Sequence, residues 1–133
     1  MTQPIRAFMH QPRFAVVGAS SARQKFGNRV LRWYQDHNLP VTPVHPRETE
    51  IEGLPCVTSL EGLSDPTHTA VSVITPPSVT LTVLQQAKAL GVPYVWLQPG
   101  AENAECVQYA EEQGLQLIYG GPCILVQGEQ ARL

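Results

Sequence analysis

The stretch FAVVGASSARQKFGNRV, residues 14–30, constrains this chain more than any other. A short apolar run, β-branched in its middle, ends at Gly18 and passes through a serine-containing loop into a helical pattern. An apolar run of that length without polar alternation suits a strand buried on both faces, as in a parallel sheet. Parallel neighbours need long crossover connections, so such a strand demands further strand–helix units downstream.

The rest of the sequence supplies them. Residues 28–38 read as a helix with Val30, Leu31 and Tyr34 on its inner stripe. Residues 40–45 read as a second strand, irregular or bulged around Pro43. Residues 46–57 read as a loop, and 58–63 as one short helical turn capped by Thr58 or Ser59. A third strand covers 69–75 and is stopped by Pro76 and Pro77; a helix then runs to Leu90 and ends at Gly91. A fourth strand at 94–98, a helix at 103–113 ended by Gly114, and a fifth strand at 115–119 complete the series.

This alternation predicts an α/β fold: a doubly wound, mostly parallel five-stranded sheet. The expected strand order is 3-2-1-4-5, with strand 69–75 the fourth if a small strand precedes it near residues 54–57, and beside strand 1 if none does. Either way the strands ending at Gly18 and Thr75 flank the point where the winding reverses, and such sheets bind ligands there. No linker, repeat or low-complexity run interrupts the 133 residues. The expectation is a single domain over residues 1–133, with residues 1–12 a polar, proline-broken extension.

Composition narrows the function classes. A hydrophobic share of 43% against 15% charged residues excludes a disordered chain. No stretch approaches the roughly 20 apolar residues of a membrane helix, and the N-terminus lacks the core of a secretion signal. Cys56, Cys106 and Cys123 are scattered, which argues against a disulfide framework and a metal site. The expected compartment is reducing and intracellular, with the cytoplasm as default. Net charge is only −2, but residues 1–47 hold seven basic residues against Asp36 alone, and residues 48–133 hold two basic and ten acidic ones. The basic excess shares its third of the chain with the glycine–serine loop. A small anionic ligand fits that better than nucleic acid, since no aromatic–basic repeat is present. Chance clustering on a solvated face is the alternative.

The loop itself carries the chemistry. Gly18 lets the backbone turn sharply and approach a ligand. The amides that follow, with the start of the next helix, form a cradle for an anion. Ser20 and Ser21 add hydroxyl donors, and Arg23 or Lys25 adds charge before Gly27. Neither G-x-G-x-x-G nor G-x-x-x-x-G-K-[ST] fits, so the loop is of neither standard phosphate-binding type. A tight turn with no ligand accounts for the same residues. The end of the second strand discriminates further. An NAD site places an acidic residue there, whereas this chain has His45, Pro46 and Arg47. Those residues point to a phosphorylated ribose, in NADP or coenzyme A, or leave Arg47 a plain surface residue. Thr75, Pro76 and Pro77 close the strand beside the loop, and the two prolines offer an apolar wall without amide donors.

With these blocks in order, the chain resembles the small stand-alone CoA-binding domain proteins, which are similar to the N-terminal, Rossmann-like domain of the succinyl-CoA synthetase α subunit. The resemblance covers residues 13–130, through AVVGAS with KFG, PVTPVHPR, IEGLPCVTSLEGL, VITPP, YVWLQPGAEN and GLQLIYGGPCI. It implies that Gly18, Ala19, Ser20 and Lys25 take the phosphates of coenzyme A, and that Thr75, Pro76 and Pro77 line the same groove. The family's V-N-P strand end is here Val44-His45-Pro46, with His for Asn. Its W-L-Q-x-G block matches as Trp96, Leu97, Gln98 and Gly100. Gln98 thereby joins the expected ligand residues. The synthetase's phosphohistidine lies in a second domain, for which this length leaves no room, and none of His10, His37, His45 and His68 matches it.

Catalysis has little support in the residues. Cys123 is the one tempting nucleophile, and no partner that would lower its pKa is evident. Its expected role is structural, and Trp33 and Trp96 are expected in the core or an interface. The expected function is a non-catalytic module for coenzyme A or an acyl-CoA. An NADP or other adenine-nucleotide-binding or redox-sensing module is one alternative; a small enzyme or subunit acting on CoA thioesters with a partner chain is another. The partner expected is a small molecule, not nucleic acid or membrane, with self-association or a protein partner left open.

Overall fold

The four residues that follow Arg13 in the first strand are all buried, and they alternate between two cores. Phe14 and Val16 face one side of the sheet, Ala15 and Val17 the other, as the period of a strand dictates. The computed structural model describes residues 3–132. In chain order its elements are α1 (Gln3–Met9), β1 (Arg13–Val17), α2 (Phe26–Asp36), β2 (Val41–Val44), β3 (Glu50–Ile51), β4 (Leu54–Pro55), β5 (Thr69–Val73), α3 (Pro77–Leu90), β6 (Tyr94–Leu97), α4 (Ala104–Gln113), β7 (Leu117–Ile118) and α5 (Ile124–Arg132). Two short 3-10 turns, Leu60–Gly62 and Pro66–His68, precede β5.

Five strands make one parallel sheet in the order β2-β1-β5-β6-β7. Among the described residues no full strand lies outside β2, which corrects the 3-2-1-4-5 order, and the alternative holds: the strand beginning at Thr69 lies beside β1. Residues 54–55 pair instead with 50–51 as the antiparallel hairpin β3–β4. Its two turn residues, Glu52 and Gly53, both have positive φ, +50° and +79°, the conformation that closes a tight hairpin. A single parallel bridge from Val57 to Val44 is what remains of a strand outside β2. Pro43 introduces no bulge. Val41–Val44 pairs in unbroken register with Phe14–Val17, and an edge strand tolerates a missing donor.

Helices cover both faces. Val30, Leu31 and Tyr34 of α2 are wholly buried with Ile5, Phe8 and Met9 of α1 and Ile124 of α5. Val83, Leu84 and Ala87 of α3 pack with Cys106 of α4 on the other side. Residues 3–9, expected as a polar extension, are thus an integral helix; residues 1–2 lie outside the described part. Pro4 sits in the first turn, where its missing amide costs nothing. Phe8 meets Trp96 edge-on at 5.3 Å, and burial of such a side chain contributes roughly 1.5–3 kcal/mol. The sequence pattern also missed α5, whose interior Gly128 weakens its helical signature. That glycine serves packing: a Cβ there would come within 2.7 Å of the Trp33 ring.

A buried polar line crosses the core. The Tyr34 hydroxyl is 2.7 Å from Ser72 Oγ, Gln98 Nε2 donates to the same oxygen at 3.4 Å, and Gln98 Oε1 accepts from Ile124 N at 2.9 Å. The line connects α2 through β5 to the first turn of α5.

Candidate functional site

Gly18 is where β1 leaves the sheet, and its φ of +94° is open to glycine. A Cβ there would lie 3.0 Å from the carbonyl of Ile74, at the end of the neighbouring β5. The chain then loops back so closely that a Cβ on Gly27 would collide with the carbonyl of Gly18. The first turn of α2 is thereby pressed onto the strand end. The amides of Ala19, Ser20, Ser21, Phe26 and Gly27 donate to no acceptor among the described residues. Lys25, the residue before α2, is exposed, and no side chain caps the helix. The Ser20 hydroxyl accepts from Ala22 N at 3.1 Å, which leaves its own proton free to donate.

Opposite the loop stand the ends of two other strands. His45 follows β2, and its Nδ1 accepts from both Arg47 N (3.0 Å) and Glu48 N (2.9 Å). A backbone N–H can only donate, so Nδ1 carries no proton and the neutral ring holds it on Nε2. Asparagine caps such a turn through its Oδ1, so this histidine performs the same backbone task by another atom. Beyond β5, the Thr75 hydroxyl meets that of buried Thr80 at 2.8 Å, and Thr80 also donates to the Pro76 carbonyl at 3.2 Å. These bonds fix the start of α3 beside the loop.

Between them lies an open groove of about 460 Å³. Nine residues singled out in the sequence meet in it: Gly18, Ala19, Ser20, Lys25, Gly27, His45, Pro46, Thr75 and Pro76, joined by Phe26 and Ile74. Four others stand elsewhere. Ser21 is on the exposed rim, with its hydroxyl 3.5 Å from Glu48 Oε1, and Arg47 is exposed and attached to the turn by its amide. Pro77 is the first residue of α3 and does not line the groove. Gln98 is wholly buried and committed to Ser72 and Ile124.

A family model described as CoA binding domain matches residues 12–129. The chain belongs to that family. As a CoA-binding domain it is similar to proteins of several lineages. YneT of Bacillus subtilis, an uncharacterized protein, is 29% identical over 106 residues, 80% of this chain and 78% of YneT. The ADP-forming acetate–CoA ligase of Methanocaldococcus jannaschii is 32% identical over 78 residues, 59% of this chain but only 11% of the ligase. The solved structure of a conserved hypothetical protein from Pyrococcus furiosus superimposes with a TM-score of 0.80 at 36% identity, covering 86% of this chain and 97% of that one.

The CoA-binding domain also holds residues that sequence reasoning passed over. Asn28, fully buried in α2, donates from Nδ2 to the Ser20 carbonyl (2.8 Å) and to Glu52 Oε2 (3.1 Å), and Arg32 Nε donates to its Oδ1 at 2.7 Å. A signal existed: asparagine is a poor helix former, and its place in a helix points to a side-chain task. Glu52 gave none, because hairpin and loop meet only in three dimensions. Cys123, at the start of α5, is half-buried and outside the groove. No three His, Cys, Asp or Glu side chains cluster to hold a metal, and no helix is long and apolar enough to cross a membrane, among the described residues.

Proposed function

We propose that the groove receives coenzyme A or an acyl-CoA and that the chain binds it without chemistry of its own. The observation that carries this reading is the set of amides around Gly18 and the first turn of α2, those of Ala19, Ser20, Ser21, Phe26 and Gly27 among them, that donate to no acceptor among the described residues. Such amides, at the positive end of a helix, suit the diphosphate of a nucleotide. Lys25 and the Ser20 hydroxyl would add to them. Nε2–H of His45 and the guanidinium of Arg47 are suited to the ribose phosphate. Ile74, Pro76 and Phe26 would supply apolar surface, and Pro76 brings no competing amide. Coenzyme A itself would supply a thiol for acyl transfer. The reading also fits a soluble cytoplasmic protein of one domain.

Isothermal titration with CoA, dephospho-CoA, NADPH and NADH tests this. Binding of CoA tighter than dephospho-CoA is the expected result. Equal affinity for the two removes the role given to His45 and Arg47, and a preference for NADPH over CoA overturns the ligand. The match to the acetate–CoA ligase favours one second reading, in which the chain serves CoA-thioester chemistry carried by a partner chain. Thioester hydrolysis or ligation by the isolated chain would replace the non-catalytic reading.

A further inference from the structure

The loop that offers the amides is tied from behind at two places. Its Ser20 carbonyl accepts from Asn28 Nδ2 at 2.8 Å, and its Arg23 carbonyl accepts from Arg32 Nη2 at 2.9 Å. A carbonyl and the following N–H belong to one planar trans peptide and point in opposite directions. Holding the Ser20 oxygen toward α2 therefore turns the Ser21 N–H away from it, and the same bond geometry at Arg23 sets the Gln24 N–H.

Asn28 is itself oriented by others. Its two Nδ2 hydrogens go to Ser20 O and Glu52 Oε2, and its Oδ1 accepts from Arg32 Nε at 2.7 Å. Donors and acceptors match in only one amide orientation. Glu52 comes from the separate β3–β4 hairpin and is held there twice more. Its carbonyl accepts from Gln35 Nε2 at 3.0 Å, and its carboxylate lies 3.8 Å from Arg23 Nη1. Its φ of +50° is one that glycine or asparagine adopts with less strain than glutamate. Replacing it by glycine would ease the backbone and lose the carboxylate.

We propose that Arg32, Asn28 and Glu52 form a positioning relay that holds loop 18–25 with its amides free for an anion, so that a hairpin outside the groove sets the affinity for a diphosphate. This rests on the reading of the loop as the diphosphate site. The relay acts by preorganisation: a loop already in its binding conformation loses less entropy when the ligand arrives. None of the three side chains needs to touch the ligand.

The test uses the full chain with CoA as the probe, comparing wild type, Glu52→Gly and Glu52→Gln by titration and by amide hydrogen exchange. Glu52→Gly is expected to fold, since relief at its positive φ offsets the lost carboxylate contacts, to bind CoA about five- to thirtyfold more weakly, and to exchange faster at residues 19–25. Glu52→Gln, which still accepts from Asn28, is expected to restore both affinity and protection. An unchanged Kd in Glu52→Gly, or a weaker one with unchanged loop exchange, overturns the relay. Weak binding in Glu52→Gln equal to that in Glu52→Gly also overturns it, since an acceptor for Asn28 would then be present without restoring the loop. If wild type binds no CoA, the ligand reading falls, and the exchange contrast between the two variants still decides the relay.

Discussion

Gly27 has no room for a side chain, because its Cβ would collide with the carbonyl oxygen of Gly18, nine residues earlier. The contact joins the end of β1 to the first turn of α2 and closes the loop between them. Everything placed in the groove depends on that approach, since it brings the amides on either side of the loop to one spot.

Gly27→Ala is therefore expected to separate strand and helix. Forcing a methyl into a packed site costs about 1–3 kcal/mol, which urea unfolding would register. Affinity for CoA should fall as well, even though alanine is the better helix former. A variant as stable as wild type would mean that the approach is not rigid.

Lys25→Ala combined with Ser20→Ala removes one charge and one hydroxyl from the groove and touches no core residue. Affinity for CoA is expected to fall by about 1–3 kcal/mol, the scale of lost hydrogen bonds to a charged group. Titration calorimetry measures it, and circular dichroism should show the fold intact. Unchanged affinity in a folded variant would refute the phosphate assignment.

His45 separates two tasks that one residue combines. His45→Asn keeps an acceptor for the amides of Arg47 and Glu48, so stability should hold. His45→Ala leaves both amides without that acceptor and is expected to cost about 1 kcal/mol in thermal or urea unfolding. Both variants lose Nε2–H, so both should narrow the preference for CoA over dephospho-CoA.

Tyr34 makes the fold sensitive to alkali. Burial holds its phenol protonated well above the ordinary tyrosine range, and the hydrogen bond with Ser72 opposes this only in part. The folded state thus binds the proton more tightly than the unfolded chain. Its contribution is whole below the unfolded value of about 10 and declines as pH rises beyond it. Tyr34→Phe should flatten that decline in melting temperature above about pH 10, while costing about 1 kcal/mol at neutral pH for the lost bond to Ser72. An equal decline in the variant would place the alkaline sensitivity elsewhere.

The parts of the fold that were legible are those whose signal is local. Largely apolar strands ended by Gly18 or the Pro76–Pro77 pair, and helices stopped at Gly91 and Gly114, can be read because backbone preference and burial act within a few residues. The groove was legible for a related reason, since its residues cluster at three strand ends that the topology brings together. What escaped depends on distant partners. The helix α5 is marked by Gly128, which looks like a breaker until Trp33 is placed against it. The short helix α1 hides behind Pro4 and polar residues until Trp96 meets Phe8. Gln98 sits in a motif at the expected strand end, yet its amide is spent on Ile124 and Ser72, a use no spacing reveals. The expected outer strand near residues 54–57 shrank to one bridge because Leu54 and Pro55 pair with Glu50 and Ile51 across the Glu52–Gly53 turn, which leaves only Val57 against β2.

Most of the donors that the groove leaves free are main-chain groups, common to every residue type but proline. Selection can thus alter the identity of Ala19, Ser21 or Phe26 without erasing those donors. What it cannot do cheaply is add one methyl at Gly18 or Gly27. The site is heritable as a backbone shape, and two hydrogen atoms in place of side chains are its narrowest point of failure.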